Sequence, residues 1–296
     1  MATILTIGEF LWDILPEGRH LGGAPANVAF HLAQIGHQAQ PVSAVGDDEL
    51  GERAIEIMRR GGVDTTLVTE DPVHPTGVVR VELDADGVPT FDITPEVAWD
   101  FIPTSAGLLA AVTGADAIVF GTLAQRHPRS RATIAAALDA APADGTRVLD
   151  LNLRPPFYDG EIVAASIEHA TILKLSEEEM RLLPGLLGMP DDADFLPRLA
   201  ARHALARIYV TRGARGCEVF AEGETTSAPA TPVRVADTVG AGDAFTAGLI
   251  DGELRELETA TIAANACAAG AFVASRSGAT PSWTGELRET LGLEPR

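Results

Sequence analysis

Along the chain, short apolar runs alternate with longer amphipathic stretches, and the two periods predict an α/β fold. Apolar runs at Thr3–Ile7, 40–45, 117–121, 147–151, 171–175 and Arg207–Thr211 read as buried strands. Helical spacing reads at 28–35, Glu49–Arg60, 128–141, Gly160–His169, 177–183 and 193–203, and again at 242–249 and Thr259–Ala274. Pro25 suits the first turn of the first helix and Gly36 ends it; Asp48 is placed to cap the second, and Gly61-Gly62 to stop it. Such alternation argues for a mainly parallel sheet with helices on both faces. Two hairpin patterns interrupt it. One covers 77–93, with its turn at Asp84-Ala85-Asp86-Gly87; the other begins at 216–220 and turns at Glu222-Gly223. Pro16-Glu17-Gly18 reads as a further turn. The Ala-rich stretches 134–143 and 263–271 suit close-packed helices.

Composition narrows the class. The 296 residues are 46% hydrophobic and 22% charged, which excludes a disordered chain and leaves room for a full core. The formal charge of −20 opposes non-specific nucleic-acid binding, yet leaves a local anion site open. Lys174 is the single lysine. Cys217 and Cys267 are too few for a disulfide framework and read as buried free thiols. No apolar run is long enough to span a membrane, and residues 1–9 lack the basic start of a leader, so a cytoplasmic protein is expected. No repeat or linker divides residues 1–296, so one domain is expected. The seven scattered histidines show no metal-ligand spacing and read as surface residues; the run Asp191-Asp192-Ala193-Asp194 reads as a solvated helix start.

Candidate chemistry concentrates in Asp237-Thr238-Val239-Gly240-Ala241-Gly242-Asp243-Ala244-Phe245. The small residues Gly240, Ala241 and Gly242 let backbone N–H groups approach a ligand, and the helix that follows puts the positive end of its dipole there, a ready anion site. Asp243, in the same turn, is placed either to take a proton from an attacking hydroxyl or to cap the helix. No Walker lysine follows, and Phe245 stands where a dinucleotide fingerprint needs glycine. A second loop, Gly22-Gly23-Ala24-Pro25-Ala26-Asn27, also precedes a helix and ends on an amide able to donate to and accept from hydroxyls.

These two loops, in this order, resemble the signatures of the ribokinase-like (PfkB) carbohydrate kinases. So do Gly8-Glu9 with Trp12-Asp13, 45–51, Val210-Thr211-Arg212-Gly213-Ala214-Arg215-Gly216 and 277–282, and the resemblance covers essentially the whole chain. It implies a ribokinase-like α/β/α sandwich whose lid is the interrupting sheet at about 14–21 and 77–98. It implies transfer of a phosphoryl group from ATP to a sugar, with Asp243 as base and the Gly240–Gly242 amides as anion hole. Asp13, Gly23, Asn27, Asn152 and Arg154 would hold the sugar. Lys174, Ser176, Thr211, Gly213 and Gly216 would lie on the nucleotide side, with Asn265 on a late helix against adenine. K⁺ would be held by Asp237, the carbonyls of Val239, Val273 and Arg276, Gly278 and Ser282. Mg²⁺ would be organised by Glu179 through water; here the sequence departs from the family, because Ser176 replaces its usual Asn, and Ser-x-x-Glu is equally a helix capping box. Lids in such kinases pair, which implies a homodimer, and a pairing would cover an apolar sheet face.

Three segments resemble bacterial fructokinases: 87–100, 120–126 and 150–156. In the last, Asp150 and Asn152 share one face just beyond a strand end, where open α/β sheets bind ligands, and Arg154 would reach into the cleft. An arginine there would equally suit a sugar acid, which makes 2-keto-3-deoxygluconate kinase the second reading; a non-catalytic ligand-binding protein on the same fold is the third. Trp99 is expected to pack rather than to stack on adenine.

Overall fold

A computed structural model describes residues 1–15, 18–83 and 89–294. The chain opens with β1 (Thr3–Ile7), β2 (Leu11–Leu15) and β3 (Gly18–Gly22), then α1 (Ala24–Ile35), β4 (Gln38–Gly46), α2 (Glu49–Arg60) and β5 (Val68–Asp71). The strands β6 (Gly77–Leu83) and β7 (Pro89–Ile93) follow, then α3 (Ala106–Thr113), β8 (Ala117–Phe120), α4 (Pro128–Ala140), β9 (Thr146–Asp150), α5 (Gly160–His169), β10 (Ile172–Ser176), α6 (Glu177–Leu187) and α7 (Phe195–His203). The last part holds β11 (Arg207–Thr211), β12 (Cys217–Ala221), β13 (Glu224–Ala228), α8 (Ala241–Leu254), α9 (Thr259–Ala274) and α10 (Gly285–Thr290).

Nine strands form one sheet in the order β13-β12-β11-β10-β9-β8-β1-β4-β5. Its pairs are parallel from β5 to β11; only β11–β12 and β12–β13 are antiparallel. The two-residue period of each strand feeds two cores. Ile4, Val119, Val148, Ile172 and Tyr209 face α1, α2, α8, α9 and α10. Leu5, Ile118, Leu149, Leu173 and Ile208 face α3 to α7. The result is the three-layer arrangement expected from the sequence. The strand order reverses between β1 and β8, and ligands in such sheets bind beyond the strand ends at that point. The Ala-rich α9 lies close on α8, because a Cβ on Gly248 would come within 3.0 Å of the Ala266 Cα.

The second sheet, β3-β2-β6-β7, is the interrupting unit expected as a lid. β6 and β7 pair antiparallel; the turns expected at 84–87 and at 16–17 lie outside the described residues. Asp48 roots this sheet. It caps α2 through the Gly51 N–H at 2.9 Å and also accepts from the Thr76 N–H at 2.8 Å and hydroxyl at 2.7 Å, one residue before β6. These bonds hold its carboxyl below the usual range against the opposing effect of burial. Trp12 of β2 donates to the Leu50 carbonyl at 3.0 Å. Trp99 is fully buried under the Arg126 guanidinium, 4.0 Å above its ring, and packs as expected.

Some boundaries moved. α6 runs through Pro184 to Leu187 rather than stopping at 183, and Gly188 in a left-handed conformation closes it, with Met189 N–H bonding the Pro184 carbonyl. The 191–194 run is exposed ahead of α7, as expected. The surface reading fails for His31, which is fully buried, and for His37, which pairs with buried Asp251 at 3.1 Å. Cys217 and Cys267 are buried free thiols, their sulfurs 3.6 Å apart.

Candidate active site

Several of the expected site residues lie at the C-terminal ends of parallel strands: Asn152 just beyond β9, Lys174 and Ser176 on β10 and Thr211 on β11. Asp243 stands in the first turn of α8, and its Oδ2 accepts from Asn27 Nδ2 of α1 at 2.8 Å, across 216 residues of sequence. Beneath it, Lys174 of β10 donates to both oxygens of Asp150 at the end of β9, at 2.9 and 3.0 Å. Thr246, one turn further along α8, donates to Asp150 at 2.7 Å. A Cβ on Gly242 would lie 3.3 Å from the Lys174 ammonium, so the single lysine sits at the mouth of the glycine turn. Burial alone would push Lys174 toward the neutral form, but Asp150, Asp243 and Glu179 outweigh it and its pKa is raised. Burial, reinforced by Asp150, lifts Asp243 to about 6, while Asn27, Lys174 and Arg154 pull the other way. A carboxylate so tuned is ionised near neutrality yet basic enough to accept a proton.

The helix terminus itself has the geometry of an anion site. Gly240 adopts φ +77, which only glycine takes without strain, and α8 begins at once. The Ala241 N–H donates to the Thr238 carbonyl at 3.3 Å, a long bond that a bound anion would have to replace. On one side lies a cleft of about 420 Å³, walled by Thr211, Gly213, Gly216, Gly242, Cys267 and Ala271. Exposed Val235 and Val239 stand at this end of the molecule, and Val235 lines the cleft. Its volume and mixed lining suit a nucleotide. Asn265 does not join it: at 100° per residue it stands on the face of α9 opposite Cys267, Gly270 and Ala274.

On the other side lie the sugar candidates. Asp13 is carried by β2 of the lid, beside Gly22, and burial raises it to about 6 against the pull of His20 and Arg154. Asn152 follows β9 in a left-handed conformation, φ 42, which asparagine tolerates. Gly23 (φ +102) lies directly against the Glu9 carbonyl, so no side chain fits there. Glu9 itself is a site residue that sequence reading passed over. It is 3% exposed, accepts from the Ala24 N–H at 3.2 Å at the start of α1, and is pushed by burial up to about 7. Its sequence signal was its place two residues beyond a strand end, in the Gly8-Glu9 segment that carries part of the family resemblance. Arg154 acts electrostatically on Glu9, Asp13 and Asp243 together.

The cation candidates gather less completely. Asp237 accepts from Val239 N–H and Gly278 N–H, both at 3.0 Å, and so joins the two segments. Val273 and Arg276 lie at the C-terminal end of α9, where carbonyls carry the negative end of the dipole, and the Arg276 N–H takes up the Val273 carbonyl. This donor chemistry fits a monovalent cation. Ser176 and Glu179 form the capping box: Glu179 accepts from the Ser176 N–H at 2.7 Å and the Leu153 N–H at 2.6 Å, and Ser176 Oγ accepts from the Glu179 N–H at 3.2 Å. Among the described residues no three acidic, histidine or cysteine side chains cluster as a metal cage. Mg²⁺ commonly keeps several of its waters, so a contact to Glu179 through water fits such an ion.

The chain matches the pfkB family carbohydrate kinases over residues 17–285. It belongs to that family. Among curated pfkB-like relatives, a fructokinase of Klebsiella pneumoniae is 33% identical over 260 residues, 84% of this chain and 83% of that protein. Fructokinase-1 of Oryza sativa is 32% identical and covers 98% of this chain and 97% of its own length. Among solved structures, the fructokinase of Vibrio cholerae with fructose, ADP and calcium bound superposes with a TM-score of 0.81 at 26% identity, over 95% of this chain and 96% of that one. Membership in the pfkB family makes the chain a carbohydrate kinase, a phosphotransferase with a sugar acceptor.

Proposed function

We propose that the protein is an ATP-dependent fructokinase that converts D-fructose to D-fructose 6-phosphate. The observation that carries this reading is Asp243 held by Asn27 at the N-terminus of α8, between the nucleotide-sized cleft and the lid that bears Asp13. Asp243 takes the proton of the 6-hydroxyl as that oxygen attacks. The amides of Gly240, Ala241 and Gly242, with the Lys174 ammonium beside them, stabilise the charge on the phosphoryl oxygens. Asp13, Gly23, Asn27, Asn152 and Arg154 bind and orient the sugar, and the lid excludes water. Thr211, Gly213 and Gly216 line the nucleotide side. Mg²⁺ neutralises phosphate charge when bound, with Glu179 as its water-mediated partner and Ser176 confined to capping. K⁺ would be held by Asp237, Val239, Val273, Arg276, Gly278 and Ser282.

Similarity to bacterial and plant fructokinases supports fructose over the sugar acid. The chain is read as one kinase domain with an inserted lid, placed in the cytoplasm; among the described residues no helix is long and apolar enough to cross a membrane. Ile14 and Val78, half-buried in the lid strands, support pairing of two lids in a homodimer. The test is ADP release with ATP, Mg²⁺ and K⁺ against fructose, 2-keto-3-deoxygluconate, ribose and adenosine. Fructose is expected to give the largest kcat/KM; a larger value for any other acceptor overturns the substrate assignment.

A further inference from the structure

His31 is fully buried on α1, one turn beyond Asn27, and the reaction as described makes no use of it. Its two ring nitrogens are both engaged. The Trp283 indole N–H, which only donates, points at Nδ1 at 3.0 Å. Nδ1 is therefore the acceptor, the proton is on Nε2, and Nε2 donates to the Ala279 carbonyl at 3.0 Å. A protonated ring would set two N–H groups against each other, and burial keeps His31 neutral by lowering its pKa to about 4. Ala279 is the residue on which the anion hole rests: a Cβ on Gly240 would lie 2.5 Å from the Ala279 oxygen and 2.6 Å from its Cα. The two backbones are thus in direct contact, and a shift of Ala279 shifts Gly240. Residues four apart share a helix face, so one stripe of α1 holds Asp243 through Asn27 and the floor of the glycine turn through His31.

We propose that His31 is a positioning residue for phosphoryl transfer: held by Trp283, it fixes the Ala279 carbonyl beneath Gly240 and makes α1 a strut between the base and the anion hole. This rests on the kinase reading of the α8 terminus. The test compares binding of the non-hydrolysable β,γ-imido analogue of ATP and of ADP by calorimetry, with Mg²⁺ and K⁺ present, in wild type, His31→Leu, His31→Gln and Trp283→Phe. The analogue carries a γ-phosphoryl group for the anion hole and ADP does not. His31→Leu is expected to weaken the analogue about tenfold, the scale of one lost hydrogen bond, and ADP less than about threefold. kcat should fall with the analogue's affinity, and the sugar KM should stay within about twofold. His31→Gln, which retains an N–H donor, should recover most of the loss; Trp283→Phe, which frees the tautomer, should fall between. Should His31→Leu fail to fold, the other two variants read the same ratio. Equal losses for both nucleotides, or a lower melting temperature with both affinities unchanged, would overturn the proposal and leave the kinase reading intact. Wild-type protein that binds neither nucleotide would overturn both.

Discussion

At the residue scale, the site works by setting carboxylates against one another in a buried pocket. Asp243 has a proton affinity raised by burial and by Asp150, and restrained by Asn27. If Asp243 acts as the ionised base, as proposed above, kcat/KM should rise with pH through about 6 and level off above it. Removing the amide in Asn27→Ala takes away a bond that favours the ionised form, so the ascending limb should move to higher pH; a limb that stays in place or moves down would dissociate Asn27 from the base. Asp243→Asn should lower kcat by about 10²-fold or more and leave sugar affinity within a few-fold, read by steady-state kinetics and calorimetry. Neither the Asn27 contact nor the Lys174–Asp150 pair could be read from spacing, since each joins two separate elements, α1 with α8 and β10 with β9.

At the element scale, local rules carried most of the architecture. Asp48 shows both the reach of those rules and their limit. Its capping of α2 follows from Asp before Glu49-Leu50-Gly51, but its two bonds to Thr76, which tie the lid to the core, follow only from how β4 and β6 meet. Asp48→Ala should cost about 1 kcal/mol for the cap and leave the Thr76 N–H and O–H donors without their acceptor, for about 2–4 kcal/mol in all. The same variant should raise the sugar KM more than it lowers kcat, because the lid root loosens while the α8 terminus is untouched. Denaturant unfolding and steady-state kinetics check the two parts. β3 and α3 were not legible as elements. Gly18–Gly22 has no clear alternation, and α3, residues 106–113, is a short Ala- and Leu-rich stretch whose period carries little signal.

At the scale of the whole molecule, the site is a liability to the fold. Glu9, Asp13 and Asp243 all have proton affinities raised by burial. A group whose folded-state pKa lies above its unfolded value stabilises the fold below the unfolded pKa and loses that contribution as pH rises through the folded pKa. The relevant window runs from about 4 to about 7. For nearly fully buried Glu9 the loss is on the order of 3 kcal/mol across that window. Glu9→Gln keeps an oxygen for the Ala24 N–H and removes the charge. It should match wild type in stability near pH 4 and exceed it near pH 8, measured by denaturant unfolding at both values; equal gains at the two pH values would remove charge burial as the cause.

Sequence alone determined the layered α/β order, the β6–β7 hairpin of the inserted sheet and the glycine turn before α8, because each depends on residues adjacent in the chain or on a period within one element. Ser-x-x-Glu was legible as a capping box for the same reason; the family followed from the resemblance of its motifs. Tertiary structure decided which groups face one another. It placed Asn27 on Asp243, Lys174 on Asp150, Glu9 under Gly23 and His31 between Trp283 and Ala279, and it turned Asn265 away from the cleft beside α8. Burial and long-range contact set charge state and proton affinity, and neither is a property of any local stretch of sequence.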